Sequence, residues 1–366
     1  MKHLSEITNR LIGQPMFALL AKIKEMERTG EKIIHFEIGD PDFDSPDSVV
    51  QAVKNSLDNK ETHYTNSMGL WDLRQEICSF TEKSLGFKPS VEQVLVIPAN
   101  AIIDFVIRCV VNPGEEVIIP DPGFPTYRAV LNYTGIKAKP VPMNPNDIRK
   151  AITDKTRLII INSPNNPTGL MLTKEEIAEV VAIAKENDIY LLSDEVYSRI
   201  TYDKVHYSPS IYDQCKERTI ILNSFSKIYS MSGWRLGYAI GPEPVIKKMG
   251  LLLETIISCF PPFIQRAGIT ALKYDVNERN KELRRRRDIL INGLNSIGIK
   301  CLKPDGAFYA FAKTDLTQDE ILERAHVAVL DGKYFGEQGK GYIRLCYASA
   351  SIDEIKKAIN QIKTIL

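Results

Sequence analysis

Between about residues 90 and 240 the chain alternates short runs that are apolar on both faces with longer amphipathic segments. Gln93-Val94-Leu95-Val96-Ile97, Glu116-Val117-Ile118-Ile119 and Arg157-Leu158-Ile159-Ile160-Ile161 read as buried strands, as do residues 189–193 and 219–223. Helices are expected at 101–111 and 173–187, the second opened by the capping box Thr173-x-x-Glu176. Doubly apolar strands separated by helices predict a mostly parallel sheet covered on both sides. The last hundred residues differ in character. A long polar helix (277–294), a helix at 318–325, a strand at 342–347 and a final helix suggest a smaller α+β domain. The amphipathic segment 17–28 is expected to pack onto it. The division this predicts is a large domain at 41–275 and a small one built from 1–40 and 276–366.

In an open parallel sheet, ligands sit beyond the carboxyl ends of the strands. Three polar groups fall there: Asn166 after the strand ending at Ile161, Asp194 after Ser193, and Lys227 after Asn223. Helical crossovers make the strands point one way, so these groups, distant in sequence, should share one rim. Each has a bland reading as well. Lys227 could be a solvated surface lysine, Asp194 a helix N-cap, and Asn166-Pro167 a turn. Arg344 lies in the apolar run Tyr342-Ile343-Arg344-Leu345-Cys346, where a charge is costly unless paired. Its planar donors suit a carboxylate ligand; a buried salt bridge is the alternative. Ala99 and Asn100 open a helix, where free N–H groups and the dipole favour an anion.

Size and charge narrow the classes. At 366 residues two domains are expected. With 47 basic against 46 acidic residues, nothing favours nucleic acid or an anionic membrane as partner. The run Arg284-Arg285-Arg286-Arg287, flanked by Glu278, Glu282 and Asp288, reads as a solvated helix face. Six scattered cysteines fit a reducing cytoplasm better than a disulfide framework or a zinc site. The five histidines lack metal-ligand spacing, so no metal is expected. Residues 16–21, followed by Lys22 and Lys24, read as neither a signal peptide nor a membrane span. Nucleotide-binding glycine fingerprints are missing.

Motifs run in order from Ile38-Gly39-Asp40-Pro41-Asp42-Phe43 through Asp121-Pro122-Gly123-Phe124-Pro125, Asn165-Asn166-Pro167-Thr168-Gly169, Ser193-Asp194-Glu195-Val196-Tyr197 and Ser224-Phe225-Ser226-Lys227 to Tyr342-Ile343-Arg344. Together they cover nearly the whole chain. On them the chain resembles a fold-type I pyridoxal-phosphate enzyme of the class I/II aminotransferase family, in its aspartate/aromatic-like branch. The resemblance implies that the mostly parallel sheet has seven strands, and it implies pyridoxal 5'-phosphate as cofactor, held as a Schiff base on Lys227, which would also move the substrate proton. A lysine has a reference pKa of about 10.4 and must be held otherwise to do this. Asp194 would face the pyridine nitrogen and keep it protonated, and Glu195 would be structural. Asn166 and Tyr197 would bond the ring oxygen. Phe124, which elsewhere would read as core, would stack on the ring. Ala99, Asn100, Ser224, Ser226 and Arg235 would hold the phosphate, Arg235 through a bidentate fork. Arg344, with Gly39 and Asn166, would take the α-carboxylate.

The resemblance also implies a homodimer in which Tyr64, from His63-Tyr64-Thr65-Asn66, reaches the phosphate of the other copy; a buried interface aromatic is the alternative. Two departures stand out. Pro98 occupies a position where the family usually has glycine; it removes one N–H but suits a helix start. Residues 330–336 lack the family's usual proline. The implied reaction is ping-pong exchange of an amino group between an L-amino acid, aspartate or aromatic in type, and a 2-oxo acid such as 2-oxoglutarate. Elimination at carbon–sulfur bonds, or cyclopropane-forming elimination, on the same scaffold is the alternative chemistry. A catalytically silent binding protein is the alternative class.

Overall fold

The structure is a computed structural model that describes residues 2–366. Its centre is a seven-stranded sheet. Across it run Val94–Val96, Gly237–Ile240, Thr219–Ser224, Tyr190–Asp194, Thr156–Asn162, Glu116–Pro120 and Lys137–Val141. Gly237–Ile240 is antiparallel to both neighbours, and every other adjacent pair is parallel. Two of these strands carry weak sequence signals. Lys137-Ala138-Lys139-Pro140-Val141 is a polar edge strand, where a proline is tolerated. Gly237–Ile240 has only four residues and begins on a glycine. That glycine is required: a Cβ there would lie 2.8 Å from the Asn223 carbonyl and 3.0 Å from the Ala99 nitrogen.

The pleat sorts side chains by parity. Leu158, Ile160, Leu192, Ile220 and Leu222 pack on one face against the helices Ala99–Val110, Pro125–Thr134 and Glu243–Ile256. Ile159, Ile161 and Leu191 face the helix Lys174–Glu186, whose Thr173/Glu176 capping box is formed. Each buried Leu or Ile contributes about 1.5–3 kcal/mol of transfer free energy, so this sheet is the rigid body on which loops are mounted.

A four-stranded antiparallel sheet joins Leu330–Asp331, Tyr342–Cys346, Tyr309–Lys313 and Lys300–Cys301. The helices Asn277–Ser296 and Ile352–Lys363 lie beside it. The N-terminal helix Pro15–Arg28 buries Leu19 and Ile23 against Phe311, Leu322, Ala328, Leu330 and Phe335. This fixes residues 14–17 at the edge of the cavity described below.

The four-arginine run departs from the sequence reading. Arg284 and Arg285 are solvated, but Arg286 and Arg287 are buried. Four consecutive helical residues sweep a full turn, so a packed helix must turn some of them inward. Arg287 donates to the Pro304 carbonyl at 3.0 Å, pairs with Asp203 and Asp288, and lies over the Tyr202 ring. Arg286 pairs with Asp42 at 2.8 Å and Glu282 at 3.0 Å. All six cysteines are free thiols. Among the described residues, no helix is long and apolar enough to cross a membrane, and no group of three or more His, Cys, Asp or Glu could hold a metal.

Ile23 is fully buried between the N-terminal helix and the small sheet. Ile23→Ala should cost roughly 2–5 kcal/mol in urea denaturation, whereas exposed Lys24→Ala should stay within about 0.5 kcal/mol. Equal midpoints for the two variants would contradict this packing.

Candidate active site

A cavity of about 550 Å³ opens beyond the carboxyl ends of the strands Thr156–Asn162, Tyr190–Asp194 and Thr219–Ser224. The three parallel strands bring Asn166, Asp194 and Lys227 to its wall. Every candidate cofactor- or substrate-binding residue from the sequence lines it except Tyr64, which is 87% exposed and stands apart from it within one chain.

Lys227 follows the strand tip by three residues, and its Nζ donates to the Gly39 carbonyl at 2.7 Å. Burial pushes its pKa down; Arg344 and Arg235 push the same way, and Asp40 opposes them. Gly39 meets a steric requirement, since a Cβ there would lie 2.1 Å from the Tyr309 hydroxyl.

Asp194 is the last residue of its strand, and a turn follows it. It therefore caps no helix; its Oδ1 accepts from the Val196 N–H at 3.2 Å within the turn. Burial raises its pKa to about 6, against the hydrogen bond from the Tyr127 hydroxyl and that N–H. Glu195, next in sequence, points away and accepts from Ser193 and Ser208.

Asn162 ends the neighbouring strand in register with Asp194. Its Nδ2 donates to the Asp194 carbonyl at 3.1 Å, and its Oδ1 accepts from the Asn166 N–H at 2.8 Å. Asn166 in turn accepts from Arg344 Nη1 at 3.1 Å. Arg344 Nη2 donates to the Glu37 carbonyl at 2.6 Å, and its guanidinium lies over the rings of Tyr309 and Phe335 at 4.4 and 5.0 Å. Arg344 is buried, yet its Nε has no partner. The Tyr197 and Tyr309 hydroxyls are 2.8 Å apart, and burial raises both pKa values.

At the other end of the cavity, Ala99 and Asn100 begin the helix Ala99–Val110, and their N–H groups make no hydrogen bond. Pro98 is the residue before the helix, and its carbonyl accepts from Ala101 at 2.9 Å. The proline thus starts the helix without occupying the two free donors. Ser224, Ser226 and Arg235 line the same region. Arg235 holds a left-handed φ of 59° that glycine would adopt more easily, and Nη1 donates to the Ser232 carbonyl at 2.6 Å. Phe124 stands half-buried beside Tyr127, edge to face at 5.7 Å.

Tyr127, Asn162 and Tyr309 escaped the sequence reading. Tyr127 stands in the first turn of the helix after the strand Glu116–Pro120, and that placement was its one available signal. Asn162 is the single polar residue closing an apolar strand, which marks a strand tip.

The cavity carries a charge imbalance. Lys227, Arg235 and Arg344 all line it, and among the described residues none forms an ion pair with a carboxylate. Their hydrogen-bond acceptors are neutral carbonyl or amide oxygens. Asp194 and Asp40 are the acids on the wall. Two free helix N–H groups, an orphaned guanidinium nitrogen and an aromatic face complete the donor set. This set fits a polyanionic aromatic aldehyde such as pyridoxal phosphate together with a carboxylate substrate.

Comparison with known proteins agrees. Residues 31–362 match the family model described as aminotransferase class I and II. An aspartate aminotransferase of Pyrococcus horikoshii is 37% identical, with 94% of each chain covered. An aromatic-amino-acid aminotransferase of Thermococcus litoralis is 35% identical, with 95% of each covered. The solved structure of Thermus thermophilus aspartate aminotransferase with maleate superposes with a TM-score of 0.95 at 30% identity, covering 100% of both chains. The chain therefore belongs to the class I and II aminotransferases, pyridoxal-phosphate-dependent enzymes of fold type I.

Proposed function

We propose that this aminotransferase works by a ping-pong exchange in which Lys227 is the covalent anchor of the cofactor, an L-amino acid of aspartate or aromatic type is the donor, and 2-oxoglutarate is the acceptor. The observation that carries this reading is the trio of cations without carboxylate partners, facing Asp194 across one cavity.

Pyridoxal phosphate supplies, when bound, an aldehyde that condenses with amines and a ring that takes up the electron pair released at the substrate Cα. The chain's residues supply the rest. Burial favours the neutral form of Lys227, the form that can attack a carbonyl or hold a proton from Cα. Asp194 is the group suited to a protonated ring nitrogen. Without a cation opposite, burial keeps its pKa near 6; a cation there favours the carboxylate, with Tyr127 and the Val196 N–H already donating to it. Tyr197 and Asn166 would donate to the ring oxygen, and Phe124 would cover the ring. Arg235, Ser224, Ser226 and the N–H groups of Ala99 and Asn100 would hold the phosphate.

Arg344, pre-aligned by Asn166 and the Glu37 carbonyl beside Gly39, would take the α-carboxylate bidentately. No fourth cation lines the cavity among the described residues, and Met16, Phe17 and Ile38 give it an apolar wall. The exposure of Tyr64 supports its service to the site of a second copy, making the enzyme a homodimer. The proposal includes the domain division at 41–275 and a cytoplasmic location.

The test is a half-reaction screen: holoenzyme, amino acid donors one at a time, and the absorbance of the lysine-bound cofactor. Donor alone should bleach it stoichiometrically, and 2-oxoglutarate should restore it. Release of pyruvate and ammonia with the colour retained would instead assign elimination.

Three further outcomes are expected. Lys227→Ala should lose the borohydride-reducible adduct and slow turnover on the order of 10²–10⁴-fold or more; an adduct that persists would place the anchor elsewhere. Arg344→Met should raise KM by roughly 10–150-fold, the worth of charged hydrogen bonds of about 1.5–3 kcal/mol. Its kcat should change less, and the reverse pattern would remove it from carboxylate binding. The third concerns pH. In cofactor-free protein Asp194 has a raised pKa, so between about pH 4 and 6 the folded state binds more protons than the unfolded chain. Stability relative to Asp194→Asn should therefore fall as pH rises through that window, by roughly 3 kcal/mol, and level off above it. A pH-independent difference between the two proteins would refute the shift.

A further inference from the structure

A second cavity, of about 500 Å³, lies behind the first on the opposite face of the same strand tips. Strand parity creates the pair. Asp194 and Ser224 line the first cavity, while their neighbours Glu195 and Asn223 line the second. After the strand the pattern continues, with Tyr197 on one side and Ser198 and Arg199 on the other. None of the second cavity's residues belongs to the chemistry proposed above.

Its polar groups are under-used, and those left free are mostly donors. Arg199 is gripped between the rings of Phe80 and Tyr229, 5.2 and 5.4 Å from their centroids, and Nη1 donates to the Tyr229 hydroxyl. It forms no ion pair with a carboxylate among the described residues, and neither does Lys83 at the rim. The His206 side chain is only 7% exposed, yet neither ring nitrogen makes a hydrogen bond. Its nearest acid, Glu195, places Oε2 3.4 Å from Nε2, while Ser193 and Ser208 both donate to Oε1, so Glu195 is the group His206 faces. Lys204, also on the wall, is engaged by Asp305 at 3.0 Å. Phe80, Val205, Ile240 and Leu272 give part of the wall an apolar surface, beside the hydroxyls of Thr81 and Ser198.

Small-molecule sites combine an apolar lining with a few convergent polar groups in a volume of about 300–1,000 Å³. A planar guanidinium held by aromatic rings and without a carboxylate of its own selects a carboxylate. The hydrophobic wall selects an apolar body attached to it. We propose that this cavity is a second ligand site, for a small organic monocarboxylate with an aromatic or branched apolar body, held by Arg199. Because Glu195 and Asn223 adjoin Asp194 and Ser224 in the chain, a ligand here rests against the backbone that carries the cofactor-facing residues.

The test uses the pyridoxal-phosphate-loaded Arg344→Met enzyme, which disables carboxylate binding in the first cavity, and 3-phenylpropanoate as probe. Calorimetry should report one molecule bound per chain. Arg199→Met in that background should weaken binding on the order of tenfold to a hundredfold, the loss of a charged hydrogen bond. Val205→Trp, at an exposed rim position, should weaken it too by narrowing the mouth, and this variant decides the matter if Arg199→Met does not fold. No binding to the Arg344→Met protein, or binding unchanged by these substitutions, overturns the proposal. Arg199 and Val205 do not line the first cavity, so the result stands whether or not the transamination reading does.

Discussion

The arrangement depends on one electrostatic constraint: Arg344 is held inside the protein without an anion of its own. A buried guanidinium costs several kcal/mol to desolvate, and neutral oxygens repay only part of that. The fold meets the deficit partially. Asn166 and the Glu37 carbonyl take two donors, the Tyr309 and Phe335 rings offer their π faces, and Nε is left over. A site built this way is stabilised by ligand binding, because the missing anion arrives with the ligand. Lys227 and Arg235 extend the same imbalance along the cavity. The affinity of this cavity for anions is thus stored in the folded state as unsatisfied charge.

Holding unsatisfied charge in place requires rigidity around it. The chain from Arg344 through Asn166 and Asn162 to Asp194 is a continuous set of hydrogen bonds that joins the middle of a small-sheet strand to the ends of two large-sheet strands. Each member fixes the next: Asn162 sets the turn that presents Asn166, and Asn166 orients the guanidinium. Tyr127 completes the far end by donating to Asp194. The orienting residues are neutral, so they position the charged ones without cancelling them.

Asp194 and Lys227 were legible in the sequence because sheet topology alone places them, and Arg344 because a charge stood in an apolar run. A residue that follows an apolar run in a parallel sheet must lie on the carboxyl rim, which covers Asn166, Asp194 and Lys227. The orienting layer was less legible. Tyr127 and Tyr309 reach the site through helix rotation and sheet-to-sheet packing, which local pattern does not encode. The short strand Gly237–Ile240 escaped for a related reason, since four residues show too little periodicity to read. The arginine run failed as a guide because net charge was read where geometry decides. On a packed helix, Arg286 and Arg287 turn toward acids supplied by distant segments, Asp42 and Asp203.

The same parity that builds the first cavity limits how freely its residues can change. Asp194 and Glu195 point to opposite sides of one backbone, as do Ser224 and Asn223, so neither side can be repacked alone. Glu195 is buried and accepts from the Ser193 and Ser208 hydroxyls. Its anchoring fixes the turn through which the Val196 N–H meets the Asp194 carboxylate. A shift of Glu195 would therefore move a donor that opposes the raised pKa of Asp194. The proton affinity of Asp194 is set partly by the far side of the sheet.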